Sequence, residues 1–302
     1  MSELFVGTGV ALVTPFLSDK RIDYDSLERI IKFVDLPEIN YLAIIGSTGE
    51  SATLSWNEKI EILEFTKGKA PDQPILFGLG GNDTAQLLKE ISLIDKYPID
   101  GILSVTPYYN RPSQAGLISH YRQIADASDH PIILYNVPSR TGVNLESDTT
   151  LVLSEHPNIM GIKEASGDLK QCERIINAKS DNFLLLSGND PHTLAILKLG
   201  GNGSISVLAN YKPEMFGNMV RSYLNKEYQR ALKYQNEMRE YFDWMDLEGN
   251  PTSIKTALKT IHLCDKTVRS PLMEGSIDLE NKFIKKESIN GFFFYKLILQ
   301  IN

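Results

Sequence analysis

Cysteine is scarce in this chain. Its 302 residues include two, Cys172 and Cys264, too few for the disulfide framework that holds small secreted domains together. The opening Met1-Ser2-Glu3 has neither the basic stretch nor the long apolar core of a signal peptide, so the expected setting is cytoplasmic. Positive charge is outnumbered: 31 Lys and Arg stand against 38 Asp and Glu, a net charge of -7. Without basic clusters or interleaved aromatics, neither nucleic acid nor an anionic membrane is an expected partner, and an anionic substrate must meet local cations. Long apolar runs are missing too. The run at residues 292–301 falls well short of the roughly 20 residues that span a bilayer, and reads as packing against the helical region or as an oligomer surface. The five histidines, at 120, 130, 156, 192 and 262, show no ligand spacing with one another or with the cysteines. No zinc site is expected, and the histidines read as surface or capping residues.

What is present is ordinary globular material, 42% hydrophobic and 23% charged, long enough for one large barrel or two modest domains. Eight short apolar runs recur, at residues 10–16, 41–45, 74–79, 101–105, 131–135, 159–163, 183–186 and 204–208. Between them, stretches such as 24–34, 57–66 and 84–96 return an apolar residue every three or four positions against a charged face, the spacing of amphipathic helices. Nearly continuous apolar strands alternating with such helices predict a parallel sheet covered on its outer face, and eight repeats fit a closed (β/α)8 TIM barrel. An open doubly wound sheet is the alternative, but Gly78-Leu79-Gly80-Gly81 lacks the third glycine of a dinucleotide fingerprint. Past residue 210 only helical patterns follow, at 214–224, 227–241 and 251–262. They predict a C-terminal helical appendage, with a catalytic barrel at 1–225 and a helical region at 226–302.

In such barrels the active site lies at the carboxyl ends of the strands, and the chemistry-bearing residues fall there. Gly46-Ser47-Thr48-Gly49-Glu50 follows the second run, Thr106-Pro107-Tyr108-Tyr109-Asn110-Arg111-Pro112 the fourth, and Tyr135-Asn136-Val137-Pro138-Ser139-Arg140-Thr141-Gly142 the fifth. Ser187-Gly188-Asn189-Asp190 follows the seventh, and the eighth carries Ile205. The sixth ends in Met160-Gly161-Ile162-Lys163-Glu164. A lysine among buried apolar residues is costly, and burial generally lowers a lysine pKa, which suits an amine to Schiff-base chemistry. Taken alone, the segment also fits a lysine that snorkels from a strand end or pairs with Glu164. Ser47 and Thr48 can cradle a small carboxylate or cap a helix. Tyr135 can relay a proton with Thr48 or pack in the core. Arg140 can hold a second carboxylate or stay solvated, and adjacent Tyr108 and Tyr109 suggest an interface.

Together these segments carry a resemblance. Gly46-Ser47-Thr48-Gly49-Glu50-Ser51, Tyr108-Tyr109-Asn110-Arg111-Pro112, Tyr135 to Gly142 and Gly161-Ile162-Lys163-Glu164-Ala165-Ser166-Gly167 are similar to the signatures of the dihydrodipicolinate synthase family of pyruvate-dependent class I aldolases. Ser47 departs from the usual threonine pair, as in N-acetylneuraminate lyases, and the tail after Glu274 does not resemble the usual final helix. The resemblance implies a metal-free, cofactor-free condensation of pyruvate with aspartate 4-semialdehyde through a covalent imine on Lys163. It implies proton shuttling by Tyr135, Thr48 and a neighbouring subunit's Tyr109, so a homo-oligomer, with a dimer of dimers expected. Ser47 and Thr48 would hold the pyruvate carboxylate, Arg140 that of the semialdehyde, and Gly188 and Ile205 would offer backbone contacts. An allosteric lysine site is implied at Ser51, Ala52, Trp56, Lys59, Asn82, Gln86 and Tyr108, weakened by the neutral Gln86 and the cationic Lys59. The competing expectations are an N-acetylneuraminate lyase or a 2-keto-3-deoxy sugar acid aldolase on the same scaffold, against which Arg140 weighs, and a barrel that binds without turnover.

Overall fold

The structure is a computed structural model that describes residues 2–290; the apolar run at 292–301 lies outside the described residues. Eight parallel strands, β1 (Gly7–Ala11), β2 (Tyr41–Ile44), β3 (Ile75–Gly78), β4 (Gly101–Val105), β5 (Ile132–Asn136), β6 (Ile159–Glu164), β7 (Leu184–Ser187) and β8 (Gly203–Ser206), close into a barrel in chain order. They are buried almost throughout, as strands covered on both faces must be. The barrel interior is filled by Tyr41, Leu76, Leu103, Ile133, Leu184, Leu186 and Ile205, with Phe5 set edge-on to Tyr41 at 5.1 Å between ring centroids. The (β/α)8 expectation therefore holds, and the open sheet does not.

The first strand lies earlier than expected. It is Gly7–Ala11, and residues 12–16 continue as a buried, irregular segment that ends in a bridge from Phe16 to Ile22. Gly7-Thr8-Gly9 has little strand propensity, but the interior needs the space: a Cβ on Gly9 would stand 2.1 Å from the Tyr41 ring. The outer helices begin where the sequence supplies caps. Asp23 accepts from Ser26 N–H (3.0 Å) at Tyr24–Val34, and Ser55 and Glu58 form a reciprocal capping box at Trp56–Lys69. His120 is a correction. Read as a surface or capping residue, it is buried on the inner face of Gln114–Ala127, with Nδ1 2.8 Å from Thr84 Oγ1, and burial pushes its pKa down to about 4.

Pro213–Leu224 completes the helical ring, followed by Tyr228–Leu247, Thr252–Thr260 and Ile277–Asn290. That last helix contradicts the expectation for the tail after Glu274. Leu279 and Phe283, four residues apart and buried, give it an inner face, and Phe283 packs edge-on against Tyr211 and Trp244. Glu287 adds a polar anchor, accepting from Tyr211 Oη (2.9 Å), Lys212 Nζ (2.6 Å) and Tyr241 Oη (2.8 Å). The later helices and the barrel's outer layer share one apolar cluster, which takes in Phe216, Met238, Tyr241, Ile254, Leu258 and Phe283.

A buried ion pair joins the two regions. Glu50, just past β2, accepts from Lys255 Nζ at 2.5 Å and from Arg269 N–H at 2.9 Å. Both side chains of the pair are shut off from solvent. Burial pulls the Lys255 pKa down and Glu50 pulls it back up. Lys255 also donates to Thr267 O (2.9 Å) and lies 4.1 Å from the Phe16 ring centroid. Removing one member of such a pair leaves the other charged and unsolvated, a loss of about 3–5 kcal/mol. Lys255→Met should lower the free energy of unfolding by about that much in urea denaturation at neutral pH, and the double variant with Glu50→Gln should recover part of it; additive losses would show the pair to be uncoupled.

Candidate active site

At the carboxyl ends of the strands the barrel opens into a cavity of about 200 Å³. Strand alternation decides what enters it. Along β6, Lys163 points inward and is 5% exposed, with Tyr135 of β5 and Leu186 of β7 beside it in register. Its Nζ stands 4.4 Å from the Tyr135 ring centroid. Glu164 points the other way, where Asn136 Nδ2 (3.0 Å), Gln171 Nε2 (2.9 Å) and Ser166 N–H (2.6 Å) donate to it. The pairing of Lys163 with Glu164 that their adjacency allows is therefore not made, and among the described residues no carboxylate lies within ion-pairing distance of Lys163. Room for the lysine comes from small neighbours. Ala11 and Ala43 line the cavity, and a Cβ on Gly188 would come within 2.9 Å of Lys163 Cγ and Cε.

Ser47, Thr48, Tyr135, Arg140, Lys163, Gly188 and Ile205 all line this one cavity. The turn that carries Ser47 and Thr48 is bounded by two residues in the left-handed region, Ile45 (φ 58) and Glu50 (φ 55), and a β-branched residue there is strained. The turn is held by Thr14 Oγ1 donating to Gly49 O (2.8 Å) and by the Glu50 pair. Among the described residues no direct hydrogen bond joins Thr48 to Tyr135, the expected relay. The Thr48 hydroxyl instead accepts from Asn250 Nδ2 at 2.9 Å, and Arg140 Nη2 donates to Asn250 O at 3.0 Å. Asn250 thus touches two of the expected site residues from the connection between Tyr228–Leu247 and Thr252–Thr260. Sequence reasoning missed it, although Gly249-Asn250-Pro251 is a turn signal inside a helical region. Asp190 was passed over as a loop residue. Its Oδ2 accepts from Val207 N–H (3.1 Å) and Leu208 N–H (2.7 Å), so it bridges the turns after β7 and β8.

Tyr109 stands outside this cavity. It is 89% exposed and left-handed (φ 73) in the loop after β4, beside half-exposed Tyr108. A second cavity of about 590 Å³ opens next to the first, lined by Ser51, Ala52, Lys59, Asn82, Gln86 and Tyr108. Trp56 does not line it. Glu90, one helical turn beyond Gln86, does, and accepts from Gln86 Nε2 at 3.1 Å. Burial lowers the Lys59 pKa, with Glu90 opposing.

A closed parallel barrel whose polar groups converge around one buried lysine, at the strand ends where catalysis is carried out in this fold, is the construction of a (β/α)8 enzyme. The family can be given more narrowly. Residues 4–288 match the Dihydrodipicolinate synthetase family, and the chain belongs to it. The 4-hydroxy-tetrahydrodipicolinate synthase of Cytophaga hutchinsonii is 41% identical over 282 residues, 92% of this chain and 94% of that protein. The crystal structure of dihydrodipicolinate synthase from Aquifex aeolicus superimposes with a TM-score of 0.91 at 35% identity, covering 96% of this chain and 99% of that one. The chloride-inhibited enzyme from Acinetobacter baumannii, complexed with pyruvate, also gives a TM-score of 0.91 at 35% identity, over 95% and 99% of the two chains.

Proposed function

We infer that this chain is a lyase that condenses pyruvate with L-aspartate 4-semialdehyde to 4-hydroxy-tetrahydrodipicolinate, the first committed step of the diaminopimelate route to lysine. The observation that carries the reading is Lys163, buried, with no ion pair among the described residues, at the mouth of a barrel shared with enzymes of that name. Its amine adds to the keto carbon of pyruvate, water leaves, and the resulting iminium draws electrons from the adjacent methyl group. Loss of a methyl proton gives an enamine, whose carbon attacks the aldehyde while the aldehyde oxygen takes up a proton. The amino group of the semialdehyde then displaces Lys163 from the imine carbon and closes the ring. No step calls for a metal or a cofactor.

Ser47 and Thr48 hold the pyruvate carboxylate, with backbone contacts at Gly188 and Ile205. Tyr135 and Thr48 move protons, and Tyr109 completes the relay in a neighbouring subunit of a homo-oligomer, a dimer of dimers. The exposure of Tyr109 supports a role outside its own cavity. Arg140 holds the carboxylate of the semialdehyde. Among the described residues no helix is long and apolar enough to cross a membrane, and a cytoplasmic enzyme is the corresponding proposal.

Borohydride added with pyruvate should fix a stable adduct on the peptide that contains Lys163, and chelators should leave activity unchanged. An adduct on another lysine would sink the mechanism. Arg140→Ala should leave that trapping largely intact and weaken use of the semialdehyde roughly ten- to two-hundredfold, the equivalent of a charged hydrogen bond of about 1.5–3 kcal/mol; unchanged kcat/KM for the semialdehyde would remove Arg140 from this role.

The second cavity is proposed as a lysine site in which binding is weak. A carboxylate about 4 Å from an ammonium contributes roughly 4 kcal/mol at an effective dielectric of 20, before desolvation, and Gln86 supplies a neutral amide. Glu90 returns a negative charge to the wall, but it engages Gln86 and faces Lys59. Titrating lysine into a coupled assay at saturating pyruvate should give little inhibition at micromolar concentrations, and full inhibition there would refute the weak binding argued from Gln86 and Lys59.

A further inference from the structure

The mechanism above leaves one buried acid without a part. Asp190 lines the reaction cavity with Lys163 and stands two residues beyond Gly188. While Oδ2 takes the Val207 and Leu208 N–H groups, Oδ1 is buried and has no hydrogen-bond partner among the described residues. A buried carboxyl oxygen without a donor is costly and calls for a reason. Burial is the largest influence on the group and pushes its pKa up to about 6; the Leu208 N–H, the Ser206 hydroxyl, the Lys163 ammonium and the Val207 N–H oppose it. The other charged or titratable groups on the cavity wall are Arg140, Asp246 and Tyr135, and His192 of the same turn lies against Gly167. Among the described residues no cation pairs with Asp190 directly.

Resting on the reading that Lys163 carries the imine, we propose that Asp190 is a positioning residue, whose carboxylate keeps the turns after β7 and β8 together and supplies negative charge to the cavity that holds the Lys163 nitrogen. That nitrogen changes charge during turnover. The iminium left after water departs is positive, the enamine left after proton loss is neutral, and attack on the aldehyde restores the positive charge. A fixed anion in the same cavity favours the charged states on either side of the enamine, and a protonated Asp190 does not.

Asp190→Asn keeps an acceptor for the two N–H groups and removes the charge. The parent enzyme should lose kcat/KM as pH falls through about 6, whereas Asp190→Asn should run at least roughly tenfold slower, through kcat more than through the KM for pyruvate, and lack that step. Borohydride should still fix pyruvate on Lys163 in the variant. Failure to trap it in the parent would instead overturn the imine reading on which the proposal rests. Ser206→Ala guards against a variant that does not fold: it leaves Asp190 in place, removes a hydroxyl that holds the Asp190 pKa down, and should move the acidic step to higher pH. The same acidic step in the parent and in folded Asp190→Asn, or in the parent and Ser206→Ala, overturns the proposal.

Discussion

The barrel mouth depends on a carboxylate that never reaches water. Glu50 ends a turn containing two left-handed residues, and that turn presents Ser47 and Thr48. Left-handed backbone persists where the surroundings over-determine it. Here the surroundings are Lys255 from one side and the Arg269 N–H from the other, drawn from segments more than two hundred residues away. Arg269 extends the hold by gripping both oxygens of Glu58, the capping-box residue of the next helix, which holds that carboxyl down to about 2. A strained turn, a helix start and the C-terminal helices are thus one electrostatic unit.

Against that frame, Lys163 is placed by space more than by bonds. Gly188, the face of Tyr135 and Leu186 stand beside it, and small Ala11 and Ala43 line the same cavity. The polar network on this strand belongs to Glu164, on the far face, where Asn136, Gln171 and the Ser166 N–H satisfy it. One strand therefore carries two ionisable residues side by side, one saturated with donors and the other facing the cavity. The difference follows from the two-residue period of a strand.

What was legible in the sequence was local or periodic. Apolar runs buried on both faces announced the barrel, and the return of apolar positions every three or four residues announced helices such as Tyr24–Val34 and Thr84–Ile94. Turn segments with Gly, Pro and hydroxyl residues marked the strand ends, and seven residues drawn from them and from the strands line one cavity. The failures have physical causes. Gly7 and Gly9 hid the first strand, because their value is the room they leave for Asn40 and Tyr41. The final helix was obscured by a polar, lysine-rich composition that conceals Leu279 and Phe283. Asn250 and Asp190 could not be found by spacing, since their partners are brought to them by the barrel's closure. Trp56 was placed in the second cavity by likeness of motif, and its helix turns it elsewhere.

The tie between Glu50 and Lys255 also sets how this chain can be recombined. A cut between the last barrel helix and Tyr228 looks like a natural seam for exchanging parts with a homologue. It separates the acid from its base, Thr48 from Asn250, and Lys212 from Glu287. A chimera joined there inherits half of three polar contacts, the first of them fully buried, and succeeds only with a donor of the same residues. Any single crossover between residues 50 and 250 likewise parts Glu50 from Lys255 and Thr48 from Asn250, whereas replacing one short loop at the barrel's opposite end and returning to the same parent leaves all three contacts within one parent.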